Sequence, residues 1–412
     1  MPGHPELIHE EVDGQSVYTV IDGGVVRGFV AIDTTVGGRS CGGLRMLADL
    51  DREEIRGLAR AMTLKFGLLR LPQGGAKAGV IGDPEAPQAE RWRTLARFAE
   101  GIAPLLRSKR FVPGTDMGTS NSDIRHLLAS AGVRVQPRAL RGDLSGYYTA
   151  CSVFAAAKQA TRQLGWQPGG WRVAIEGFGS VGRPLAKLFQ EVGARVVAIS
   201  NRDGALHDEA GFDVERLSVL VGQPGRRVLD AYPGAARLSS ADLLELPVDI
   251  LCPCARHHSI HAGNAPRIQA RLICAGANNP IEPLAERALL GRGITCLPDF
   301  VTNCGGVLGG TMAFASVGRS AISTFIQDFM SDLVAWMLAE AQRQGRSPRE
   351  VMEPLARRRF EETRRATVAV SLRGRLFAAG LYLYREGVVP GSLVARFSMP
   401  FFERQVSGDW SR

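Results

Sequence analysis

Lysine is scarce in this chain. Among 412 residues and 50 basic side chains, only Lys65, Lys77, Lys109, Lys158 and Lys187 are lysines. A sequence so committed to arginine keeps lysine most readily where arginine will not serve, as where an amine must lose its proton. Aromatic residues are also few, at 7%, and the arginines are spread widely. The net charge of +9 therefore lacks the interleaved aromatic and basic side chains of a nucleic-acid surface, and no nucleic-acid partner is expected. Long apolar runs are missing too. The longest uncharged stretch, Phe300 to Gly318, is diluted by Asn303, hydroxyl residues and five glycines, so no membrane partner is expected. Residues 1–13 show neither the basic region nor the apolar core of a secretory signal. Seven scattered cysteines, an odd number, argue against a disulfide framework and for a reducing, cytoplasmic location.

What is present is an ordinary globular balance of 45% hydrophobic and 22% charged residues, in a length that suits two domains or one large composite fold. The first 145 residues read as mixed strand and helix. An alternating segment at Val25 to Ile32 is followed by a Gly-rich loop at Gly37 to Gly43, a helix from about Asp51 to Leu69, and a second Gly-rich loop at Gly74 to Gly79. From Trp171 onward, short apolar runs alternate with helical patterns: Arg172 to Ile175, Arg195 to Ser200, Val248 to Cys252, Arg271 to Ala275 and Ile294 to Leu297. Such runs mark a parallel sheet covered on both faces. After Gly318 the chain reads as helical and Arg-rich to about Ala379. Its densest charge run, Arg357-Arg358-Arg359, is expected on a solvated face or at a subunit contact.

Arg172 to Gly182 reads as a strand, then Gly177-x-Gly179-x-x-Gly182, then a helix from Arg183 to Val192. Gly177 permits the tight turn, Gly179 lets the backbone approach a pyrophosphate, and Gly182 allows close packing of helix on strand. Ser180 and Val181 lie in the same turn, where the helix N-terminus faces the phosphates. The following strand ends in Ser200-Asn201-Arg202-Asp203, where a dinucleotide fold commonly carries an acid for the adenosine ribose. Asn201 removes that acid and Arg202 offers a charge to a 2′-phosphate, so NADP is preferred over NAD; the alternative is that Asp203 takes the acid's place.

Lys65 falls late in the Asp51–Leu69 helix, and Lys77 between glycines. An amine held between apolar walls or beside another cation has a lowered pKa and can serve as a general base, although surface lysines remain the plain alternative. Val112-Pro-Gly-Thr-Asp116 sets a carboxylate in what reads as a rigid Pro/Gly loop, where a turn-capping role competes with a catalytic one.

Six ordered motifs, Gly42-Gly-Leu-Arg-Met46, Met62-Thr-Leu-Lys65, Gly74-Gly-Ala-Lys77, Thr115-Asp-Met-Gly-Thr119, Gly276-Ala-Asn278 and Asn303-x-Gly-Gly-Val307, resemble those of the glutamate/leucine/phenylalanine/valine dehydrogenase family. The resemblance implies reversible oxidative deamination of an L-amino acid to a 2-oxo acid and ammonia, and a homo-oligomer. It also implies that Lys65 holds the substrate α-carboxylate, that Lys77 activates water, and that Asp116 relays protons. Thr149, Asn278 and Asn303 would lie along the nicotinamide and its ribose. Two lysines near one another would also lower one another's pKa.

The match to the glutamate enzymes breaks where they grip the side-chain carboxylate. Their lysine before the Gly-Gly-Leu-Arg run matches Cys41 here, and a serine matches Gly310. Leaving that charge unpaired costs roughly several kcal/mol, so glutamate is disfavoured. Cys41, Gly42, Gly114, Val307 and Gly310 would instead form an apolar pocket. A glutamate enzyme with an atypical pocket, or a non-catalytic dinucleotide sensor, are the alternatives. Cys252, Cys254, His257, His258 and His261 crowd together in the sequence, but their spacing is not that of a common zinc site and no metal is expected. The expected architecture is α/β: a substrate-binding and oligomerisation domain at 1–145 and a Rossmann-type doubly wound parallel-sheet domain at 146–320. Helices at 321–412 would pack back on the first domain or at subunit contacts, with a cleft between the domains that closes for catalysis.

Overall fold

The computed structural model describes residues 3–135, 144–167, 169–221, 230, 232, 234–368, 383–384, 386–406 and 410. They gather into two compact units. One holds the described residues within Met1–Asp143, Phe314–Ser316 and Leu355–Phe401, the other those within Leu144–Ala313, Val317–Pro354 and Phe402–Arg412.

The first unit is built on a sheet of six strands: β1 (Glu6–Val12), β2 (Gln15–Asp22), β3 (Val25–Ile32), β4 (Ser40–Leu47), β5 (Gly74–Ile81) and β6 (Phe111–Thr115), in the order β1-β2-β3-β5-β4-β6. Asp13-Gly14 and Gly23-Gly24 make the two hairpin turns, and all four residues have positive φ, as two-residue turns of the right hand require. β4 runs parallel to β5 and β6, while β3 meets β5 antiparallel. Helix α1 (Arg52–Leu68) begins at Asp51, whose carboxylate accepts the Glu54 amide at 2.7 Å. Its apolar stripe, Ile55, Leu58 and Ala59, packs with Ala31 and Leu50 on one face of the sheet. Helices α2 (Gln88–Arg107) and α3 (Asn121–Ser130) contribute Leu95, Phe98, Ile102, Ile124 and Leu127 to the core on the other, against Val30, Leu44, Met46, Ala76, Ala78 and Val80.

Both glycine-rich segments expected as loops contain strand. Gly42 and Gly43 lie inside β4, and Gly74 to Gly79 lie inside β5. Their glycines answer to close approach. A Cβ on Gly42 would collide with the Ala76 carbonyl of the neighbouring strand, and one on Gly75 would collide with Thr63 of α1. One on Gly79 would stand 2.5 Å from Leu50. Lys77 is therefore not a loop residue but the middle of a buried strand, and the segment leading to Asp116 is strand β6.

The second unit carries helix α4 (Ser145–Gln163), β7 (Arg172–Glu176), α5 (Gly182–Glu191), β8 (Arg195–Asn201), β9 (Gly204–His207), α6 (Val214–Val221), β10 (Ala236–Leu238), α7 (Ser240–Leu244) and β11 (Ile250–Pro253). There follow β12 (Leu272–Cys274), α8 (Pro283–Gly291), β13 (Thr295–Leu297), α9 (Asp299–Thr302), α10 (Gly305–Phe314) and α11 (Arg319–Gln344). The sheet order is β10-β9-β8-β7-β11-β12-β13, parallel from β8 to β13, with β9 and β10 antiparallel at one edge. The five apolar runs are the five parallel strands. Because the chain leaves β7 for β8 and later returns to β11 on its other side, the strand order reverses at β7, the place where a doubly wound sheet opens a crevice for ligand.

Helices α12 (Pro348–Val368) and α13 (Gly391–Val406) complete the described chain; residues 369–379 of the expected helical region lie outside the described residues. Arg359 departs from the expected solvated face. It is fully buried and donates to the Leu68 carbonyl at 3.3 Å, where the C-terminus of α1 presents carbonyls that favour a cation. Among the described residues no helix is long and apolar enough to cross a membrane.

Candidate active site

In the first unit, strand alternation places Cys41, Gly43, Lys77 and Gly114 on one face and Gly42 on the other. The register that pairs Cys41 with Gly75 and Arg45 with Gly79 sets Gly43 level with Lys77 on the adjacent strand, and β6 places Gly114 opposite Gly43. This face is the one α1 covers, and α1 brings Lys65, itself buried, into its last turn. Above Gly43 there is no side chain, and there Lys77 and Asp116 meet: a Cβ on Gly43 would lie 2.8 Å from Asp116 Cβ and 3.1 Å from Lys77 Nζ.

Lys77 Nζ forms an ion pair with Asp116 Oδ2, and Arg45 Nε lies 3.4 Å from the same oxygen. Arg45 also donates to Glu54 in the first turn of α1, so the sheet and the helix are tied through one guanidinium. The other Asp116 oxygen accepts the Met117 amide at 2.7 Å. The Asp116 amide donates to the Thr119 hydroxyl at 3.0 Å, and that hydroxyl donates to the Leu44 carbonyl at 2.7 Å, which fixes the turn against β4. Asp116 is thus both a turn residue and one half of a charged pair.

Burial, aided by the Arg45 charge, holds the Lys77 amine below its ordinary pKa, with Asp116 acting in the opposite sense. Burial would raise the Asp116 carboxyl, but Arg45 and Lys77 outweigh it and hold the carboxyl well below the usual range. The like charge acting on Lys77 comes from Arg45, a residue that the sequence pattern displayed inside the Gly42–Met46 motif but that was not singled out. Its signal was the two-residue spacing Cys41, Gly43, Arg45 on one strand face. Burial pushes the Cys41 thiol up to about 11, so it is a neutral, weakly polar wall. Gly114 is open above its Cα: among the described residues a Cβ there would meet only the Gly42 carbonyl, at 4.0 Å.

In the second unit, the three fingerprint glycines have the three steric settings a dinucleotide turn needs. Gly177 has φ +92° and a Cβ there would stand 3.0 Å from Ala255. Gly179 is exposed, and a Cβ there would meet nothing within 4 Å among the described residues, which leaves room for a pyrophosphate to approach the backbone. At Gly182 a Cβ would collide with the Gly177 carbonyl. Ser200 at the end of β8 holds the turn, accepting Gly177 N–H on its hydroxyl at 3.1 Å and Phe178 N–H on its carbonyl at 2.6 Å. Ser180 is exposed, and Val181 precedes α5 with no side-chain cap on the helix, so the first amides of α5 suit an anion. Asn201 and Gly204 pair across a tight turn whose tip is Arg202-Asp203. Asn201 bonds Asp203 twice, donating from Nδ2 at 3.2 Å and accepting its amide at 2.9 Å, while Arg202 is exposed.

Thr149, Asn278 and Asn303 are brought together. Asn303 Nδ2 donates to Asn278 Oδ1 at 3.0 Å and to the Ala277 carbonyl at 2.8 Å. Thr149 on α4 faces Gly306 of α10 so closely that a Cβ there would collide with its hydroxyl. Asn303 is 3% exposed, and its Oδ1 has no donor among the described residues, so an acceptor is left that a hydroxyl or carboxamide N–H would satisfy. The site fits the nicotinamide half of a dinucleotide. Val307 is half-buried and Gly310 exposed with open space at its Cα, both on α10. Cys252 lies in β11 with His257, His258 and His261 in the loop beyond it; burial pushes the Cys254 thiol up to about 12. Among the described residues, no group of three or more His, Cys, Asp or Glu is placed to hold a metal.

The model of the Glu/Leu/Phe/Val dehydrogenase dimerisation domain matches residues 10–131, and that of Glutamate/Leucine/Phenylalanine/Valine dehydrogenase matches residues 144–369. A glutamate dehydrogenase of Thermotoga maritima is 36% identical over 283 residues, 66% of this chain and 68% of that protein. An NAD-specific glutamate dehydrogenase of Staphylococcus aureus is 32% identical over 307 residues, 70% of this chain and 72% of that protein. The fold is that of the hetero-hexameric glutamate dehydrogenase of Thermus thermophilus in its Leu-bound form, with a TM-score of 0.70 at 24% identity, over 90% of this chain and 91% of that one. With both of its units matched in order, the chain belongs to the Glutamate/Leucine/Phenylalanine/Valine dehydrogenase family of NAD(P)-dependent amino-acid dehydrogenases.

Proposed function

We propose that the chain catalyses reversible oxidative deamination of an L-amino acid with an apolar side chain, preferring NADP, with the first unit handling substrate and the second binding the dinucleotide. The observation that carries this reading is the ion pair of buried Lys77 with half-buried Asp116 beside Arg45, on a strand face that also carries Cys41.

When bound, the nicotinamide would supply the acceptor for the hydride that leaves the substrate Cα, and the substrate would be left as an iminium. Lys65 neutralises the α-carboxylate. Lys77, its amine kept easy to deprotonate by burial and Arg45, takes a proton from the water that adds to the iminium carbon. Asp116 moves protons to and from the amino nitrogen, which leaves as ammonia when the carbonyl of the 2-oxo acid forms. Gly177, Gly179, Ser180, Val181 and Gly182 would hold the pyrophosphate, and Thr149, Asn278 and Asn303 would lie along the nicotinamide and its ribose.

For the side chain, the first unit presents a neutral thiol at Cys41 and an open glycine at Gly114, which offer no cation to a γ-carboxylate. Exposed Arg202 and uncharged Asn201 favour a 2′-phosphate, and the engagement of Asp203 by Asn201 keeps that carboxylate occupied. The competing reading, glutamate with NAD, is favoured by the names of the relatives. A spectrophotometric panel of 2-oxo acids with ammonium, run with NADPH and separately with NADH, tests both. Ammonium-dependent oxidation with branched or aromatic oxo acids is expected; turnover with 2-oxoglutarate alone would overturn the pocket reading.

A further inference from the structure

A one-turn helix, α9, grips the loop that carries Asn278 from both of its ends. At its far end Thr302 donates to the Ala275 carbonyl at 2.6 Å, and Asn303 binds the Ala277 carbonyl and Asn278 Oδ1. At its near end Asp299, 2% exposed, accepts the Asn279 amide at 2.9 Å. Asn279 stands at φ +47°, and its carbonyl accepts the His258 amide at 2.8 Å. The turn is thus held on both sides of the residue that follows Asn278, in a left-handed backbone conformation that asparagine tolerates better than most L residues.

What holds Asp299 is Arg349, in the first turn of α12. Its NH2 donates to the other Asp299 oxygen at 2.8 Å, and its Nε donates to Glu286 of α8 at 2.6 Å. Its guanidinium also lies 5.8 Å from the centre of the Phe300 ring. One planar fork thus joins α8, α9 and α12, a geometry for which a single ammonium is a poor substitute. Burial raises the Glu286 carboxyl while Arg349 opposes it, so the cation is what keeps two neighbouring buried acids together.

We propose that Arg349 is a positioning residue for the nicotinamide end of the cofactor site: through Asp299 and the Asn279 amide it sets where Asn278 and Asn303 present their amides. This rests on the assignment of Asn278 and Asn303 to the nicotinamide. Without Arg349 the two carboxylates repel, Asp299 turns away, and the Asn279 amide loses its acceptor. The adenosine end, held by the Gly177–Gly182 turn and Ser200 on other elements, is untouched.

The test is fluorescence titration of Arg349→Ala and Arg349→Lys with NADPH, alongside competition by 2′-phospho-ADP-ribose, which lacks the nicotinamide. Loss of a supporting partner is expected to weaken NADPH about tenfold while the fragment changes less than about twofold, with Arg349→Lys in between. The deuterium isotope effect at Cα should rise in the same order, as hydride transfer becomes more limiting. A lower melting temperature with an unchanged NADPH-to-fragment ratio, or equal weakening of both, overturns the proposal and leaves Arg349 a purely structural ion. Should Arg349→Ala not fold, Arg349→Lys is read by the same ratio. Asn303→Ala separates the two levels of inference: if it too leaves the ratio unchanged, the nicotinamide assignment falls and takes the role of Arg349 with it. If it moves the ratio and Arg349→Lys does not, only the role of Arg349 falls.

Discussion

Gly43 and Lys77 lie level on adjacent parallel strands, and the space left by the missing side chain of Gly43 is where the Lys77 amine meets Asp116. In Gly43→Ala the new methyl would stand 3.1 Å from Nζ and 2.8 Å from Asp116 Cβ, and the Thr115 carbonyl at 3.0 Å closes its other side. One of the pair must move. Since displacement of reacting groups by about 1 Å can cost about 100-fold in rate, kcat should fall by about that factor. NADPH affinity, set in the other unit, should stay as it was. Steady-state kinetics and a cofactor titration on one preparation check both halves; unchanged kcat would remove the pair from the chemistry.

The parts of this site that were legible in the sequence are those whose cause is local. The parallel strands β7, β8 and β11 to β13 declare themselves because burial on both faces makes each a short apolar run. The fingerprint turn is legible because Gly177 answers a demand of its own backbone, φ +92°, and Gly182 one from the Gly177 carbonyl five positions before it. Glycine-rich β4 and β5 read as loops in the sequence because glycine has poor strand propensity, and the reason it is there, the Ala76 carbonyl or Thr63 pressing against it, belongs to the assembled sheet. For the same reason Arg45 and Glu54, nine positions apart on a strand and a helix, give no sign of pairing until α1 is laid across the sheet. Arg359 reads as one of three surface arginines until the end of α1 meets it.

The proton economy of Lys77 can be moved by its partner. Burial and Arg45 lower its pKa, and Asp116 raises it. Asp116→Asn deletes the one influence of these that favours the charged amine, so Lys77 should lose its proton at a still lower pH. The acid limb of the pH–rate profile for deamination should then shift down in pH. The rate itself should fall by about 10²–10⁴-fold, for want of a proton relay. A limb that shifts upward would mean that the titrating base is not Lys77.

Cofactor choice turns on the β8–β9 hairpin. Arg202 is exposed at its tip, with Nε 3.9 Å from Asp203 Oδ1, and so can swing toward a 2′-phosphate at little cost in burial. Arg202→Ala should raise KM for NADP about tenfold while changing that for NAD less than about twofold. Equal effects on the two cofactors would exclude recognition of the 2′-phosphate by this residue.

Substrate choice is the sharper test of the pocket, because it asks for a gain of activity. The resemblance to the glutamate-type enzymes sets Cys41 where they would carry a lysine for the γ-carboxylate; this chain offers a neutral thiol there. Cys41→Lys supplies that charge. A partly desolvated site discriminates strongly against a charge left without a partner. The variant should therefore gain measurable reductive amination of 2-oxoglutarate and lose about tenfold or more with an apolar 2-oxo acid, whose side chain would now face a buried ammonium. If the apolar oxo acid is turned over as before and 2-oxoglutarate is still refused, position 41 does not touch the substrate side chain, and specificity must be sought elsewhere on β4 or β6.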